Sequence, residues 1–252
     1  MTADAPAAII LAAGLGRRLR PLTDLLPKPL CPVAHRPLVD WALDAVAPYA
    51  DEIAVNTHAG RDLMTAHLSG RGVLLSVEEG EPLGTAGAIG NLRHWVDGRA
   101  VLVANADAWR DGSLEPLIER WDGERVRLLC VADPDRGDFG DLRYAGACLL
   151  PWSSVRGLGA TPSGLYEVLW RHEEAAGRLD LVTTNQHFID CGTPADYLRA
   201  NLTANGGNSV IGAGAVVDGE VLRSVVWPGS VVRRGEHLVD AIRAGELTVQ
   251  TG

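Results

Sequence analysis

The chain has 252 residues, of which 46% are hydrophobic and 22% charged, and its formal net charge at pH 7 is −9. A globular protein with one main domain and a small appendage fits this length and composition. The acidic balance argues against nonspecific binding to nucleic acid or to an anionic membrane surface, so neither is expected as a partner. A site for an anionic substrate must therefore be a local cluster of cations.

Strand-like apolar runs alternate with helix-like periodicities along the first half of the chain. Strands are predicted at residues 7–13, 53–55, 73–77, 100–104 and 127–132, and helices at residues 37–49, 61–68, 85–95 and 114–121. This alternation predicts an α/β fold, with a Rossmann-like, mostly parallel sheet and helices on both of its faces. Ligands of such sheets bind at the carboxyl ends of the strands.

The second half of the chain is more mixed. Strands are predicted at residues 144–150 and 187–189, and helices at residues 164–176 and 194–204. A Gly- and Asn-rich break at residues 205–208 predicts a boundary between a domain of residues 1–206 and a tail of residues 207–252.

In the tail, Ile211 and Val217 are six residues apart, and so are Val226 and Val232. This spacing resembles a short left-handed β-helix of hexapeptide type, with residues 238–244 as a helical cap. Roughly three rungs cannot stand alone, because each rung needs a neighbour to bury its apolar face. The tail is therefore expected to pack on the preceding domain or on another subunit of a homo-oligomer.

The four cysteines are widely spaced and form no C-x-x-C pair, so neither a zinc site nor a redox pair is expected. They are typical of reduced, mostly buried thiols. No secretory leader and no apolar run of membrane-crossing length is recognised. A cytoplasmic protein is the expectation.

Residues 11–32 carry the clearest functional pattern. Gly14 and Gly16 follow the first predicted strand, three arginines come next, and Lys28 stands between two prolines. Glycines let backbone N–H groups approach an anion closely, and fixed cations beside them neutralise it. The pattern predicts a polyphosphate site, although it fits neither a P-loop nor a dinucleotide fingerprint.

Lys28 is the only lysine among 23 basic residues. A compact ammonium suits a site that must hold one phosphoryl oxygen, where the wide arginine fork does not. The alternative is a surface lysine in a Pro-rich loop.

Residues 11–23, LAAGLGRRLRPLT, and residues 27–30, PKPL, resemble the signature of the sugar-1-phosphate nucleotidyltransferases. The pattern is most similar to that of the mannose-1-phosphate guanylyltransferases and the N-acetylmuramic acid-1-phosphate uridylyltransferases. The resemblance implies that Arg18 and Lys28 are catalytic and contact a triphosphate. It also implies that the nucleotide is bound at the glycine-containing turn, by Leu11, Ala12, Ala13, Gly14 and Gly16.

Two aspartates follow predicted strands, Asp107 in AVLVANAD and Asp190 in HFIDCGTP. A pair of carboxylates at strand ends suits Mg²⁺, although either one alone is as typical of a turn or a helix N-cap. The resemblance implies that both hold the metal. Ala106 departs from the glycine that the family usually has before the first aspartate.

Residues 79–88, EGEPLGTAGA, resemble the base- and sugar-recognition loop of the same family. The resemblance places Glu79, Pro82, Gly84 and Thr85 at the nucleotide, with Glu79 or Glu81 near the base. Simple turn chemistry is the alternative for the glycines.

Most of the family holds the sugar phosphate with the lysine of a Glu-Lys-Pro segment, and this chain has no second lysine. Without that lysine, the sugar phosphate is expected to be held by an arginine such as Arg143 or by backbone N–H groups, with Asn105, Gly140 and Glu167 also expected at this site. For Glu167, an exposed place on a helix is the alternative.

The resemblance implies transfer of a nucleotidyl group from an NTP to a sugar-1-phosphate, with Mg²⁺ as cofactor and pyrophosphate as the second product. GTP with a mannose-like hexose-1-phosphate is the first expectation. The alternatives are uridylyl transfer to an amino-sugar-1-phosphate, guanylyl transfer to a cyclitol phosphate, and a non-catalytic subunit that senses nucleotide sugars.

Overall fold

The computed structural model describes residues 5–251. They form two compact units. The first unit contains the residues up to Gly14, Ala42–Ala106 and Gly112–Gln186, and the second contains Leu15–Trp41, Asp107–Asp111 and the residues from His187 onward. The boundary expected between residues 206 and 207 was inferred from a change in the sequence, whereas these units are defined by their compactness. The expected boundary stays a prediction.

The strands are numbered in chain order: β1 (Ala7–Leu11), β2 (Pro32–Val33), β3 (Arg36–Pro37), β4 (Ile53–Thr57), β5 (Leu74–Val77), β6 (Val101–Asn105), β7 (Ala108–Arg110), β8 (Val126–Ala132), β9 (Leu142–Leu150), β10 (Leu179–Thr183), β11 (Phe188–Asp190), β12 (Val210–Ile211), β13 (Val216–Val217), β14 (Glu220–Leu222), β15 (Val225–Val226), β16 (Val231–Val232), β17 (His237–Val239), β18 (Ala241–Ala244) and β19 (Leu247–Gln250).

The α-helices are α1 (Leu38–Val46), α2 (Arg61–Leu68), α3 (Gly84–Asn91), α4 (Arg93–Val96), α5 (Glu115–Ile118), α6 (Trp152–Val155), α7 (Arg171–Ala175) and α8 (Pro194–Ala204). Three short 3-10 helices lie at Arg17–Leu19, Leu22–Asp24 and Lys28–Leu30, and a π-helical turn lies at Tyr166–Trp170. None of the helices in residues 5–251 has both the length and the apolar character needed to span a membrane.

The first unit is built on a seven-stranded sheet with the order β10-β8-β9-β6-β1-β4-β5. Strands β5, β4, β1 and β6 are parallel neighbours, and β10 is parallel to β8. Strand β9 is antiparallel to both β6 and β8. The predicted α/β fold with a central, mostly parallel sheet is thus confirmed, and the sequence did not reveal the antiparallel direction of β9.

Burial explains why the central strands form. Residues 7–10 of β1 and 101–104 of β6 are fully buried, as apolar runs in the middle of a parallel sheet must be. Ala7, Ile9, Val101 and Val103 belong to one apolar cluster with residues of helix α3 and of the π-helical turn. Because β1, β4, β5 and β6 are parallel neighbours, their carboxyl ends lie along one edge of this sheet.

The second unit has its own apolar core around Tyr197 on α8, which is fully buried. Its hydroxyl donates to the Pro32 carbonyl and accepts a 3.0 Å hydrogen bond from Trp227 Nε1. One turn further along α8, Asn201 accepts from the Ala34 N–H over 3.1 Å. Helix α8 therefore fixes both the β2–β3 hairpin and the start of the C-terminal strands.

The C-terminal strands pair mainly in parallel. Strand β12 lies beside β15 and β15 beside β18, while β13 pairs with β16 and β14 with β17. Strand β19 closes this set by pairing antiparallel to β18. The helix predicted at residues 238–244 is wrong, because these residues lie in β17 and β18, which pair in parallel with β14 and β15.

Candidate active site

In the second unit, the two predicted metal-binding aspartates lie against one buried lysine. Lys28 Nζ is 3.0 Å from Asp107 Oδ2 and 3.2 Å from Asp190 Oδ1. The lysine side chain is 6% exposed, whereas those of Asp107 and Asp190 are 46% and 28% exposed. One ammonium group thus bridges two carboxylates that solvent and ligands can reach.

A short antiparallel ribbon sets the distance between the aspartates. Strand β7 begins directly after Asp107, and β11 ends at Asp190. Asp190 is paired with Ala108, and the Cys191 N–H donates to the Asp107 carbonyl over 3.1 Å. The ribbon therefore brings the backbones of residues 107 and 190 together at one of its ends.

The charge of Lys28 is stabilised by its surroundings. Burial alone lowers the pKa of Lys28, but the attraction of Asp107 and Asp190 outweighs burial, and the pKa is raised from its ordinary value. Lys28 therefore keeps its proton at neutral pH. Pro27 and Pro29 restrict the backbone on both sides, so the ammonium is held in a stiff loop.

Arg18 supplies a second cation at Asp190. Its NH2 atom is 3.5 Å from Asp190 Oδ2, and its side chain is 73% exposed. A Cβ at Gly192 would lie 2.9 Å from that NH2 atom, so the glycine leaves room for the guanidinium beside the carboxylate. Arg18, Lys28, Asp107 and Asp190 are thus brought together as the sequence predicted.

The two glycines of the turn, Gly14 and Gly16, differ in the space available around their Cβ positions. Gly16 has a φ of +60°, and a Cβ there would lie 2.8 Å from Thr23 Cγ2 and 3.2 Å from Lys28 Cβ. The Thr23 hydroxyl donates to the Gly16 carbonyl over 3.0 Å. Gly14, in the first unit, is exposed and has no heavy atom within 4 Å of its Cβ position. Packing explains Gly16 and leaves Gly14 unexplained.

The donor atoms of the carboxylate pair fit Mg²⁺. Carboxylate oxygens are the hard ligands that this ion prefers, and a nucleotide site commonly supplies one or two of them while water and phosphate oxygens complete the shell. Among residues 5–251, no group of three or more His, Cys, Asp or Glu side chains is arranged to hold a metal ion. Asp107 and Asp190 therefore match a metal shared with a phosphate ligand, not a closed protein site.

In the first unit, four groups form a continuous chain of hydrogen bonds where β1, β4 and β5 end. The Ala12 N–H donates to Asn56 Oδ1 over 2.7 Å, and Asn56 Nδ2 donates to Glu78 Oε1 over 2.7 Å. Glu78 Oε2 accepts from the Leu83 N–H over 2.8 Å. This chain links the predicted nucleotide-binding residues at the end of β1 to the predicted loop before α3.

Backbone groups at the end of β1 are partly used within the protein. The Leu11 carbonyl accepts from the Ala106 N–H over 3.0 Å, and Ala12 and Ala13 are buried. Gly14 is the exposed residue of this segment. A nucleotide contact at residues 11–14 would therefore fall mainly on Gly14 and on groups beside it.

The glycines of α3 are required by close packing. Three of them face the backbone of residues 158–163 so closely that a Cβ would lie within 2.5 Å of a carbonyl oxygen: Gly84 at 2.5 Å from Ser163, Gly87 at 2.3 Å from Thr161 and Gly90 at 2.3 Å from Gly159.

The start of α3 is bonded to the same segment. The Ala86 N–H donates to the Ser163 carbonyl over 3.0 Å, and the Thr85 hydroxyl oxygen accepts from the Leu165 N–H over 2.8 Å. The polar groups at this helix start are thus partly occupied within the protein. A nucleotide contact of Gly84 and Thr85 stays a prediction, as does that of the half-buried Pro82.

The residues predicted to hold the sugar phosphate are all in the first unit. Asn105 ends β6, Gly140 is exposed in the turn before β9, and Glu167 is exposed on the π-helical turn. Arg143 NH1 lies 3.4 Å from Asp133 Oδ2, so this cation is paired with a carboxylate outside the predicted set.

Glu79, predicted to lie near the base, lines a cavity of about 670 Å³ in the first unit. The cavity is also lined by the start of α2 and by the preceding turn, including His58, Arg61 and Asp62. Its lining carries charges of both signs, and the buried Glu78 forms part of its wall.

Three residues with clear roles in this geometry were absent from the predicted site: Asn56, Glu78 and Gly192. In the sequence, each of Asn56 and Glu78 directly follows a run of residues predicted as a strand, and a polar residue at such a place is the signal that was available. Gly192 shows no such signal, because its role depends on the guanidinium of a residue far away in the sequence.

Comparison with known proteins places this geometry in context. The sequence profile of a family described as "MobA-like NTP transferase domain" matches residues 8–239. An N-acetylmuramate alpha-1-phosphate uridylyltransferase from Caulobacter vibrioides is 37% identical over 232 residues, covering 77% of this chain and 94% of the relative. A probable mannose-1-phosphate guanylyltransferase 2 from Arabidopsis thaliana is 36% identical over 228 residues, covering 76% of this chain and 63% of the relative.

Solved structures share the fold at low sequence identity. HddC from Yersinia pseudotuberculosis has a TM-score of 0.66 at 21% identity, covering 79% of this chain and 99% of that protein. A putative glucose-1-phosphate thymidylyltransferase from Bacillus anthracis, solved with a sucrose, has a TM-score of 0.66 at 20% identity, with 79% and 95% coverage. These likenesses concern the fold alone.

Proposed function

The chain belongs to the MobA-like NTP transferase family, and we propose that it transfers a nucleoside monophosphate from an NTP to a sugar-1-phosphate. The products are an NDP-sugar and pyrophosphate. The observation that carries this proposal is the contact of Lys28 with both Asp107 and Asp190. Accessible carboxylates beside fixed cations suit a triphosphate that arrives with a divalent metal.

The proposed transfer is direct and requires no covalent intermediate with the enzyme. An oxygen of the sugar phosphate forms a bond to the α-phosphorus, and the bond from that phosphorus to the oxygen bridging to the β-phosphate breaks, so pyrophosphate leaves. Such transfer depends on positioning and on charge neutralisation. Lys28 and Arg18 stabilise the negative charge of the triphosphate in this proposal.

Asp107 and Asp190 would hold Mg²⁺, which when bound neutralises charge on phosphate oxygens. Lys28 and the metal then share the same two carboxylates. The ammonium keeps the carboxylates together before the nucleotide arrives, since two like charges so close would otherwise repel each other.

Residues of the first unit have separate assignments in this proposal. We assign the nucleotide to the exposed Gly14 with its neighbours and to the loop of Glu79 to Thr85. We assign the sugar phosphate to Asn105, Gly140, Arg143 and Glu167, with Arg143 exchanging Asp133 for the phosphate. Arginine thus replaces the lysine that most relatives use.

Two combinations of NTP and sugar phosphate have specific support. Uridylyl transfer to an amino-sugar-1-phosphate is supported by the Caulobacter relative, because the match covers nearly the whole of that protein. Guanylyl transfer to a mannose-like hexose-1-phosphate is supported by the Arabidopsis relative and by the EPLGTAG sequence of residues 81–87. A cyclitol phosphate would change the acceptor but not the chemistry.

The direct test is pyrophosphate release with Mg²⁺, crossing the common NTPs against sugar-1-phosphates that include an amino sugar, mannose-1-phosphate and a cyclitol phosphate. Release that requires one NTP and one acceptor identifies the substrates. Tight NTP binding without release for any acceptor would instead favour the sensing subunit and overturn the enzymatic proposal.

Substitution of the charged cluster gives a second test. Lys28→Ala, Asp107→Ala and Asp190→Ala should each lower kcat by about a hundredfold or more, because each removes charge stabilisation at the reacting phosphates. Circular dichroism should show that each variant stays folded. Asp51→Ala, at an exposed carboxylate of the first unit, is the control and should keep normal turnover. Normal turnover of a folded Asp190→Ala variant would refute the metal assignment.

Three further assignments belong to this proposal. The parallel stacking of β12 with β15 and β18, and of β13 with β16, supports a short β-helix in the tail. Exposed apolar side chains of the tail, such as Val216 on β13 and Leu222 on β14, support contact with another subunit, as in a homo-oligomer. The four free thiols support a reducing compartment such as the cytoplasm.

A further inference from the structure

Asn56 and Glu78 are buried polar side chains that the proposed chemistry does not use. They are 3% and 5% exposed, and each makes two hydrogen bonds within the chain from the Ala12 N–H to the Leu83 N–H. The three bonds are 2.7, 2.7 and 2.8 Å long. A buried polar pair with all of these hydrogen bonds made is held rigidly. The pair can form only if a donor faces an acceptor at each of the three contacts.

The two ends of this chain of bonds are both backbone donors. Each end therefore needs an acceptor oxygen, and the contact in the middle needs one donor and one acceptor. One amide and one carboxylate satisfy all three contacts, in either order. Two amides would bring donor against donor at one contact, and two carboxylates would bring oxygen against oxygen.

We propose that Asn56 and Glu78 are a positioning pair that fixes the spacing of the two nucleotide-binding segments, residues 11–14 and residues 79–85. The inference rests on the proposed function, because it takes those segments as the nucleotide site. Neither side chain needs to touch the nucleotide. Asn56 acts through Ala12, at the end of β1, and Glu78 acts through Leu83, just before α3.

The neighbouring strands make the pair a suitable spacer. Asn56 lies in β4, which pairs with β1 on one side and β5 on the other, so its side chain reaches from one neighbour to the other. The Glu78 N–H donates to the Thr57 carbonyl over 2.8 Å, which anchors the loop directly after β5. Loss of the pair would loosen residues 79–82, while the sheet itself remains paired and the Leu83 carbonyl still accepts a 2.9 Å hydrogen bond from the Ser163 N–H.

The polarity argument gives a swap experiment with four proteins: the natural chain, Asn56→Asp, Glu78→Gln and the double variant Asn56→Asp/Glu78→Gln. Each single change breaks one of the three contacts. The double change restores one carboxylate and one amide in reversed order. Kinetics would be measured with varied NTP and with varied sugar phosphate, together with NTP affinity by calorimetry and the melting temperature.

Each single variant should raise the KM for the NTP by about tenfold or more, because a mispaired contact displaces the nucleotide-binding segments, and the free energy needed to restore their spacing is lost from binding. The KM for the sugar phosphate should change by less than about twofold, because the pair contacts only the nucleotide-binding segments. The double variant should return to within about threefold of the natural chain for NTP affinity. Asn91→Asp, at an exposed residue of the same unit, is the control for the charge change and should alter neither constant.

Double-variant effects equal to the sum of the single effects would overturn the positioning pair, as would equal changes in both KM values. If the natural chain binds the NTP but releases no pyrophosphate, the proposed enzymatic function fails. Calorimetry on the same four proteins then still decides whether the pair positions the nucleotide site, so the two failures are distinguishable.

Discussion

Gly14 and Gly16 belong to the same sequence motif but are constrained differently. Gly16 adopts a left-handed backbone and lies against Thr23 and Lys28, so the fold itself excludes a side chain there. Gly14 has open space where its Cβ would be, so the fold tolerates one. The absence of a side chain at Gly14 is better explained by the close approach of a ligand to the backbone.

Alanine at these two positions should therefore act on different properties. Gly16→Ala should lower the free energy of unfolding by about 1–3 kcal/mol, because it adds left-handed strain and a contact too short with Thr23. Gly14→Ala should change that free energy by less than about 0.5 kcal/mol but raise the KM for the NTP. Urea unfolding and steady-state kinetics separate the two effects. Equal stability losses in both variants would contradict the explanation.

At this scale, charged side chains in a recognised motif were predictable and buried polar partners were not. Lys28 stood out because it is the only lysine, and the structure places it against both aspartates. The Asn56–Glu78 hydrogen bond joins a residue of β4 to the residue directly after β5. Its existence depends on the strand order and register, which a single sequence does not contain.

Helix α3 shows how a glycine pattern can serve packing between elements. Its three closely packed glycines let the backbone of residues 158–163 lie directly on the helix. Alanine is normally the better helix former, by about 1 kcal/mol over glycine. Here the neighbouring atoms are backbone oxygens, which cannot rotate away from a new methyl group.

Gly87→Ala and Gly90→Ala should each destabilise the protein by about 1–3 kcal/mol or more, because overpacking against backbone outweighs the gain in helix propensity. Thermal unfolding should show a lower melting temperature for both. Gly157→Ala is the matched control, since no heavy atom lies within 4 Å of its Cβ position, and it should be neutral or slightly stabilising. An increase in stability for Gly90→Ala would show that the segment moves aside easily.

Most strands of the first unit were predicted near their observed positions, and so was the short β11, predicted at residues 187–189, whereas β7 was not predicted. The apolar runs of β1, β4, β5, β6 and β8 all appear as strands near the expected positions. The ribbon of β7 and β11 has only three residues in each strand, and its pairing joins distant parts of the chain. The failed helix at residues 238–244 reflects a short apolar run whose period fits either structure.

At the scale of the whole molecule, the chain passes between the two units five times. Residues 107–111 form a short insertion of the second unit between long stretches of the first, and they carry Asp107. A single boundary between two continuous stretches of the chain cannot describe units that each consist of three segments. The order of the elements was readable from the sequence, but their division into units depends on contacts between distant segments.

The four cysteines, two in each unit, are all buried, and burial raises the pKa of every one of them. The pKa is about 12 for Cys31, Cys130 and Cys148. An exposed thiol in the unfolded chain has a pKa of about 8.5. Above that pH the unfolded chain releases protons that the native protein retains, so the unfolded state binds fewer protons and stability falls as pH rises.

Stability should therefore be constant from pH 7 to about pH 8 and then decline toward pH 12, by up to about 1.4 kcal/mol per pH unit for each thiol. Urea unfolding at pH 7, 8, 9 and 10 measures this slope. Cys148→Ala removes one of the raised thiols, so it should flatten the slope above pH 9, whatever stability it loses at pH 7. Because burial disfavours the thiolate in both units, a stability that rises between pH 8 and pH 10 would contradict the protonated state of these thiols.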